Sequence, residues 1–98
     1  MGKYILSKKA IEDISSIWDY TFEVWSESQA DKYYNMIIDC CQEIASNKIS
    51  GKKYVDVAEG IYGTRIGQHI IFYRKSTKGI IEVARILHSR MDLKFHIE

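Results

Sequence analysis

Three histidines and four arginines carry most of the chemistry this chain can offer. Arg85-Ile86-Leu87-His88-Ser89-Arg90-Met91-Asp92 sets two guanidiniums, an imidazole and a carboxylate within one short run, and His96 follows. Upstream, Gly67-Gln68-His69-Ile70-Ile71-Phe72-Tyr73-Arg74 is another apolar run that ends in a cation. Histidine titrates near neutrality and is the natural proton shuttle. Cleavage of RNA by its own 2′-hydroxyl needs a base, an acid and a cation for the charge on phosphorus. His69, Arg90 and His96 could supply these if the last strand pairs with the strand that holds His69. The alternative is structural: His69 shapes a hairpin shoulder and His88 bonds to backbone at a strand end. Both readings stay open from spacing alone.

Other chemistries lack their residues. There is no Gly-rich phosphate loop, no HExxH and no nucleophile elbow, so no cofactor is expected. The only cysteines are the adjacent Cys40 and Cys41. Neighbours on a helix point about 100° apart, so a bond between them is implausible. With no CxxC spacing and no nearby His they make no zinc site, and they read as buried, reduced thiols of a cytoplasmic protein. Binding is the other candidate. Tyr62 and Tyr73 could stack on bases, although sheet tyrosines are more often core or rim. Tyr20 and Tyr33 fall off the apolar stripes of the helices and are candidate anchors for a partner chain. Arg65, Arg74, Arg85, His88 and Arg90 join them as candidate partner-binding residues.

These side chains need elements to hold them. Lys3-Tyr4-Ile5-Leu6 reads as a short strand and Ser7 as the N-cap of a helix. Ile11, Ile14, Trp18, Phe22 and Trp25 then recur at helical spacing, which predicts an amphipathic helix ending near Trp25. Ser26 with Gln29 forms a capping box for a second helix, with Ala30, Tyr34, Ile37, Cys41 and Ile44 as its stripe. Asn47 suits a left-handed C-cap, and 47–51 reads as a loop. From Gly60 the period changes to two. Gly60–Ile66, His69–Arg74 and Ile80–Leu87 read as three antiparallel strands. Gly67-Gln68 makes a type II′ turn and 76–79 makes the next turn. Residues 89–98 are expected to form a tail or a short turn. The fold class is α+β: an N-terminal strand, an antiparallel helical hairpin and a three-stranded meander in two layers. One sheet face should pack on the helices and the other should carry Arg and His side chains. Two registers remain possible for the last strand. Ile81, Val83 and Leu87 alternate with Ile80, Ala84 and Ile86, and period two alone does not choose between the sets.

At 98 residues, with 46% hydrophobic and 28% charged residues, the chain makes one soluble domain over 1–98. No segment has the apolar length of a signal peptide or membrane span. The net charge of +1 names no partner, but its distribution is uneven. Residues 1–49 hold five Lys against eight Asp and Glu, a balance of −3. Residues 50–98 hold nine Lys and Arg against five Asp and Glu, a balance of +4, with all the arginines among them. Arginine's planar fork suits phosphates and carboxylates, so the second half is expected to meet something anionic.

The RILHSRMD run at 85–92, with the strand before it, resembles the C-terminal half of ParE toxins in the RelE/ParE superfamily of type II toxin–antitoxin systems. The likeness extends in order and length over nearly the whole chain. It implies a strand–helix–helix–three-strand domain that inhibits DNA gyrase and is neutralised by a ParD-like antitoxin wrapped around it, with no membrane and no small-molecule ligand. It also implies the alternative of a RelE-like ribosome-dependent mRNA endonuclease, since related toxins share the fold and place cations and a tyrosine or histidine on the sheet face and tail. Here His69 stands where RelE-like sequences tend to put an arginine, and the lysine run of the second helix is missing. The RILHSRMD ending favours the ParE branch and binding over chemistry.

Overall fold

Local signals in the sequence set most of the element boundaries. A computed structural model of the chain describes residues 2–76 and 78–90. The order is β1 (Lys3–Leu6), α1 (Lys8–Val24), α2 (Glu27–Ala45), β2 (Lys52–Lys53), β3 (Tyr62–Ile66), β4 (His69–Lys75) and β5 (Ile80–His88). The Ser7 hydroxyl accepts from the Ala10 amide at 3.0 Å and donates to the Ala84 carbonyl at 2.7 Å, so one cap both starts α1 and ties it to β5. Ser26 caps α2 by accepting from the Gln29 amide at 3.1 Å. That helix ends as expected on Asn47, at φ 61°. The Lys48 amide reaches back to Glu43 and the Asn47 amide to Ile44, a Schellman ending.

The strands form one mixed sheet in the order β1-β5-β4-β3-β2. β1 runs parallel to β5, with Leu6 opposite Val83, and the remaining pairs are antiparallel. The two-residue β2 was not foreseen, because Lys52-Lys53 has neither length nor alternation. The meander is otherwise as predicted. Gly67, at φ 57°, occupies the first central position of the β3–β4 turn, as a type II′ turn requires.

Packing corrects the sequence reading in four places. The first is α1. Ala10 and Ile14 are buried and Ile17 packs on the core, whereas Ile11, Phe22 and Trp25 of the predicted stripe are exposed. At about 100° per residue the predicted stripe is rotated by roughly a quarter turn from the face that meets the sheet. The second is α2, where Tyr34 is 41% exposed and the supposedly off-stripe Tyr33 packs partly buried against the core. The third is the far face of the sheet. It is not a bare surface of Arg and His: Ile61, Ile70, Phe72 and Leu87 form a second core there, with Tyr54, Val57 and Ala58 packed against it. The fourth is the register of β5. The β4–β5 pairing slips between Phe72 and Tyr73, so Tyr73 faces Val83 while Phe72 faces Arg85. Ala84 is the extra residue. The bulge lets Ile81, Val83 and Ile86 all join the helix-side core while Leu87 points to the other, which neither strict alternation allowed.

Candidate functional site

β1 pairs with β5 only as far as Val83, so the next stretch of that strand edge needs other partners. α1 supplies one. Asp13 accepts from the Ile86 amide at 3.0 Å and from both Nε and Nη2 of Arg85, at 2.8 and 2.9 Å. The Asp13 bond raises the Arg85 pKa, against the opposing effect of burial. Arg85 therefore secures the helix to the sheet. Arg74 lies elsewhere, opposite Glu82 near the other end of the β4–β5 pair.

The remaining candidates gather at the turn end of β3 and β4. The Tyr33 hydroxyl is the hub. It lies 3.0 Å from the Gln68 amide, 2.7 Å from His69 Nδ1 and 3.2 Å from the Ile66 carbonyl. All three bonds form at once if Gln68 N–H and His69 Nδ1–H donate to the oxygen and its own proton goes to Ile66. In that assignment His69 keeps a lone pair on Nε2. Gly67 is required twice here, by its positive φ and because a Cβ would come within 2.6 Å of the Tyr33 oxygen.

His88 lies directly across from His69, with ring centroids 5.3 Å apart and nearly perpendicular. Burial, with the facing His88 imidazole adding to it, pushes the His69 pKa down to about 4, against a smaller opposing effect of Asp13. Burial also pushes the Tyr33 pKa up. At neutral pH this pair is therefore an uncharged imidazole and an un-ionised phenol. His88 Nδ1 accepts from the Arg90 amide at 3.1 Å, which sets Arg90 beside the cluster. Arg65, from the other sheet face, reaches the turn and donates through Nε to the Gly67 carbonyl at 3.3 Å.

Above this floor the ends of the two helices open a cleft of about 350 Å³, lined by Tyr20, Thr21, Trp25, Gln29, Tyr33, Gln68, His69 and His88. Tyr20 is 67% exposed and Trp25 is 74% exposed. Thus Tyr20, Tyr33, His69 and His88 come together in the cleft, Arg65 stays on the opposite sheet face and Arg90 joins through its backbone amide, while Arg74 and Arg85 lie apart from it. His96 lies outside the described residues. Trp25, Gln29 and Gln68 were missed as site residues. Trp25 directly precedes the Ser26 cap, and that position at a helix end was the signal that it could escape the core. Tyr62 and Tyr73 are not free to stack on bases: Tyr73 is buried, and Tyr62 lies stacked on it with Lys75 over its ring.

A second, separate surface lies between the helices. Ile14, Ser15, Trp18, Asp19, Asp31 and Tyr34 line a groove of about 400 Å³. The Trp18 indole donates to Asp31 at 3.0 Å and stacks on Phe22. Among the described residues no three metal-ligating side chains group together, and no helix is long and apolar enough to cross a membrane. Burial raises the pKa of both thiols, that of Cys41 to about 12, which keeps them protonated.

Comparison with known proteins identifies the family and supports the fold. The family model for the ParE toxin of the type II toxin–antitoxin system parDE matches residues 4–93. Toxin ParE1 of Mycobacterium tuberculosis is 33% identical over 92 residues, covering 94% of each chain. Toxin ParE1 of Caulobacter vibrioides is 29% identical over 97 residues, covering 99% of each. Among solved structures, the chromosomal ParDE system from P. aeruginosa superposes with a TM-score of 0.77 at 18% identity, covering 90% of this chain and 96% of that one. The toxin–antitoxin complex RelBE2 from Mycobacterium tuberculosis gives 0.55 at 16% identity, covering 89% and 96%. At such identities these structures speak for the fold.

Proposed function

The chain belongs to the ParE toxin family of type II toxin–antitoxin systems, and from that premise we propose that it acts by binding: it inhibits DNA gyrase in the cytoplasm and is neutralised by a cognate ParD-like antitoxin. The state of His69 is the observation that carries binding over RNA cleavage. Its Nδ1 is engaged by Tyr33, and a pKa near 4 makes it a weak proton acceptor at neutral pH. Burial raises the Tyr33 pKa further above its ordinary value, so the phenol is no acid near neutral pH. The pair is built to hold the hairpin against α2.

The antitoxin's seat in this reading is the helical hairpin. The groove along Trp18, Asp31 and Tyr34 is apolar with carboxylates at its sides, and Ile11 and Phe22 extend the exposed apolar surface along α1. A segment that folds as it wraps there could bury well over ~1,000 Å² and bind tightly despite the cost of ordering it.

The test is a pair of assays on purified protein. Gyrase supercoiling of relaxed plasmid should stop, and mRNA on translating ribosomes should stay intact. Ribosome-dependent mRNA cleavage that is lost in His96→Ala, with gyrase unaffected, would replace this reading with a RelE-like endonuclease.

A further inference from the structure

The groove between α1 and α2 joins an apolar lining to charge of a single sign. Ile14, Trp18 and Tyr34 line it together with Asp19 and Asp31, and no cation enters the lining. The two helices hold three lysines against eight carboxylates, a balance of −5. Among the described residues Asp13 takes the Arg85 guanidinium, whereas neither Asp19 nor Asp31 pairs with a cation. Asp31 is also held in place. The Trp18 indole donates to its Oδ1 at 3.0 Å, from one helix to the other, and among the described residues its Oδ2 accepts no bond. Trp18 in turn stacks on Phe22, with ring centroids 5.3 Å apart and planes 13° from parallel. An exposed carboxylate oxygen is thus fixed beside an aromatic stack.

We infer that this groove seats an amphipathic, basic segment of the antitoxin, with an arginine of that segment placed on Asp31. This rests on the proposed neutralisation by an antitoxin and adds the chemistry of the neutralising segment and the residue that selects it. Charge sets the sign of the occupant. A neutral or acidic segment that excluded water from the groove would leave two carboxylates without partners, which is costly. A cation supplies the partner. Geometry favours arginine over lysine, because a guanidinium can fork onto Asp31 and lie flat against the Trp18–Phe22 stack, and an ammonium offers no fork. The indole bond fixes Asp31 in advance, so less ordering remains to be done on binding. Apolar residues on either side of the arginine then cover Trp18 and Tyr34, the side-chain types that dominate binding energy once a partner shields them.

The experiment measures binding of the whole toxin to the purified product of the open reading frame adjacent to its gene, by surface plasmon resonance. Wild type, Asp31→Asn and Asp39→Asn are compared, with circular dichroism to confirm folding. Asp31→Asn removes the charge and keeps an oxygen for the Trp18 indole. Asp39→Asn makes the same charge change on the same helix, outside the groove. Asp31→Asn should bind at least about tenfold more weakly, as expected for loss of a charge-assisted contact, and Asp39→Asn should match wild type. Raised salt should weaken wild type more than it weakens Asp31→Asn. Replacing the antitoxin's arginines by glutamine one at a time should find one whose loss weakens wild type and leaves Asp31→Asn unaffected. A folded Asp31→Asn toxin that binds as wild type does, or an antitoxin with no arginine coupled to Asp31, overturns the inference and leaves the antitoxin reading standing. So does a wild-type toxin that self-associates in sedimentation and loses this in Asp31→Asn, which would assign the groove to a second copy. An adjacent-frame product that does not bind wild type refutes the neutralisation reading, and this occupant falls with it.

Discussion

Asp13 is the residue on which the helix-to-sheet junction turns. One carboxylate serves a strand-edge amide and a guanidinium, both partly shielded from water. Asp13→Ala should cost about 2–4 kcal/mol, since it strands an inward-facing amide and breaks a bidentate charge pair. Asp13→Asn should cost less, because its carbonyl can still accept from Ile86. Urea unfolding measures both. His69 sets a second expectation. Its pKa is about 4 in the folded chain, against an ordinary value of 6.5, so the unfolded chain binds more protons between those limits. Stability should be full above about pH 6.5 and fall by ~1–2 kcal/mol as pH drops towards 4, a partial effect because the ring retains some solvent. His69→Gln should remove that slope. At this scale the sequence was half legible. Arg85 read as a partner-binding candidate, and nothing in the spacing named Asp13, which lies 72 positions away. Tyr33 looked like an exposed anchor because its hydroxyl's partners come from a distant turn.

Elements were more legible than faces. Ser7, Ser26, Asn47 and Gly67 mark their caps and turn because each signal is local, a side chain or a φ value acting within a few residues. Gly67→Ala should therefore be costly, about 1–3 kcal/mol by thermal melt, since it pays for both the positive φ and the encroachment on Tyr33. Facing is a tertiary property and was harder to read. The α1 stripe through Trp18, Phe22 and Trp25 is a true periodicity, but it runs along a largely solvent-facing side of the helix and not the face that meets the sheet. The β5 register was undecidable from alternation because a bulge breaks the alternation. The second core was hidden because the 54–60 segment that packs over it has no regular pattern.

For the whole molecule, the strand–hairpin–meander order and the α+β class followed from the change of period near Gly60. The parallel docking of β1 on β5 did not, because no local signal specifies which strand a four-residue N-terminal strand will join. The assembled domain leaves a groove lined by Asp19 and Asp31 between the helices and a separate cleft without charged side chains in its lining at the hairpin end. Binding of the antitoxin should stabilise the toxin by mass action, about 2.7 kcal/mol at a hundredfold excess over Kd. For a domain of this size, that should raise the melting temperature by at least roughly 10 °C. The most direct measurement is the fate of plasmid DNA when gyrase, ATP and the purified toxin are mixed and the reaction is stopped with detergent. Linear DNA, covalently held by gyrase, should accumulate with toxin concentration, and prior addition of the antitoxin should prevent it. Supercoiled product with no linear DNA at any toxin concentration would contradict it.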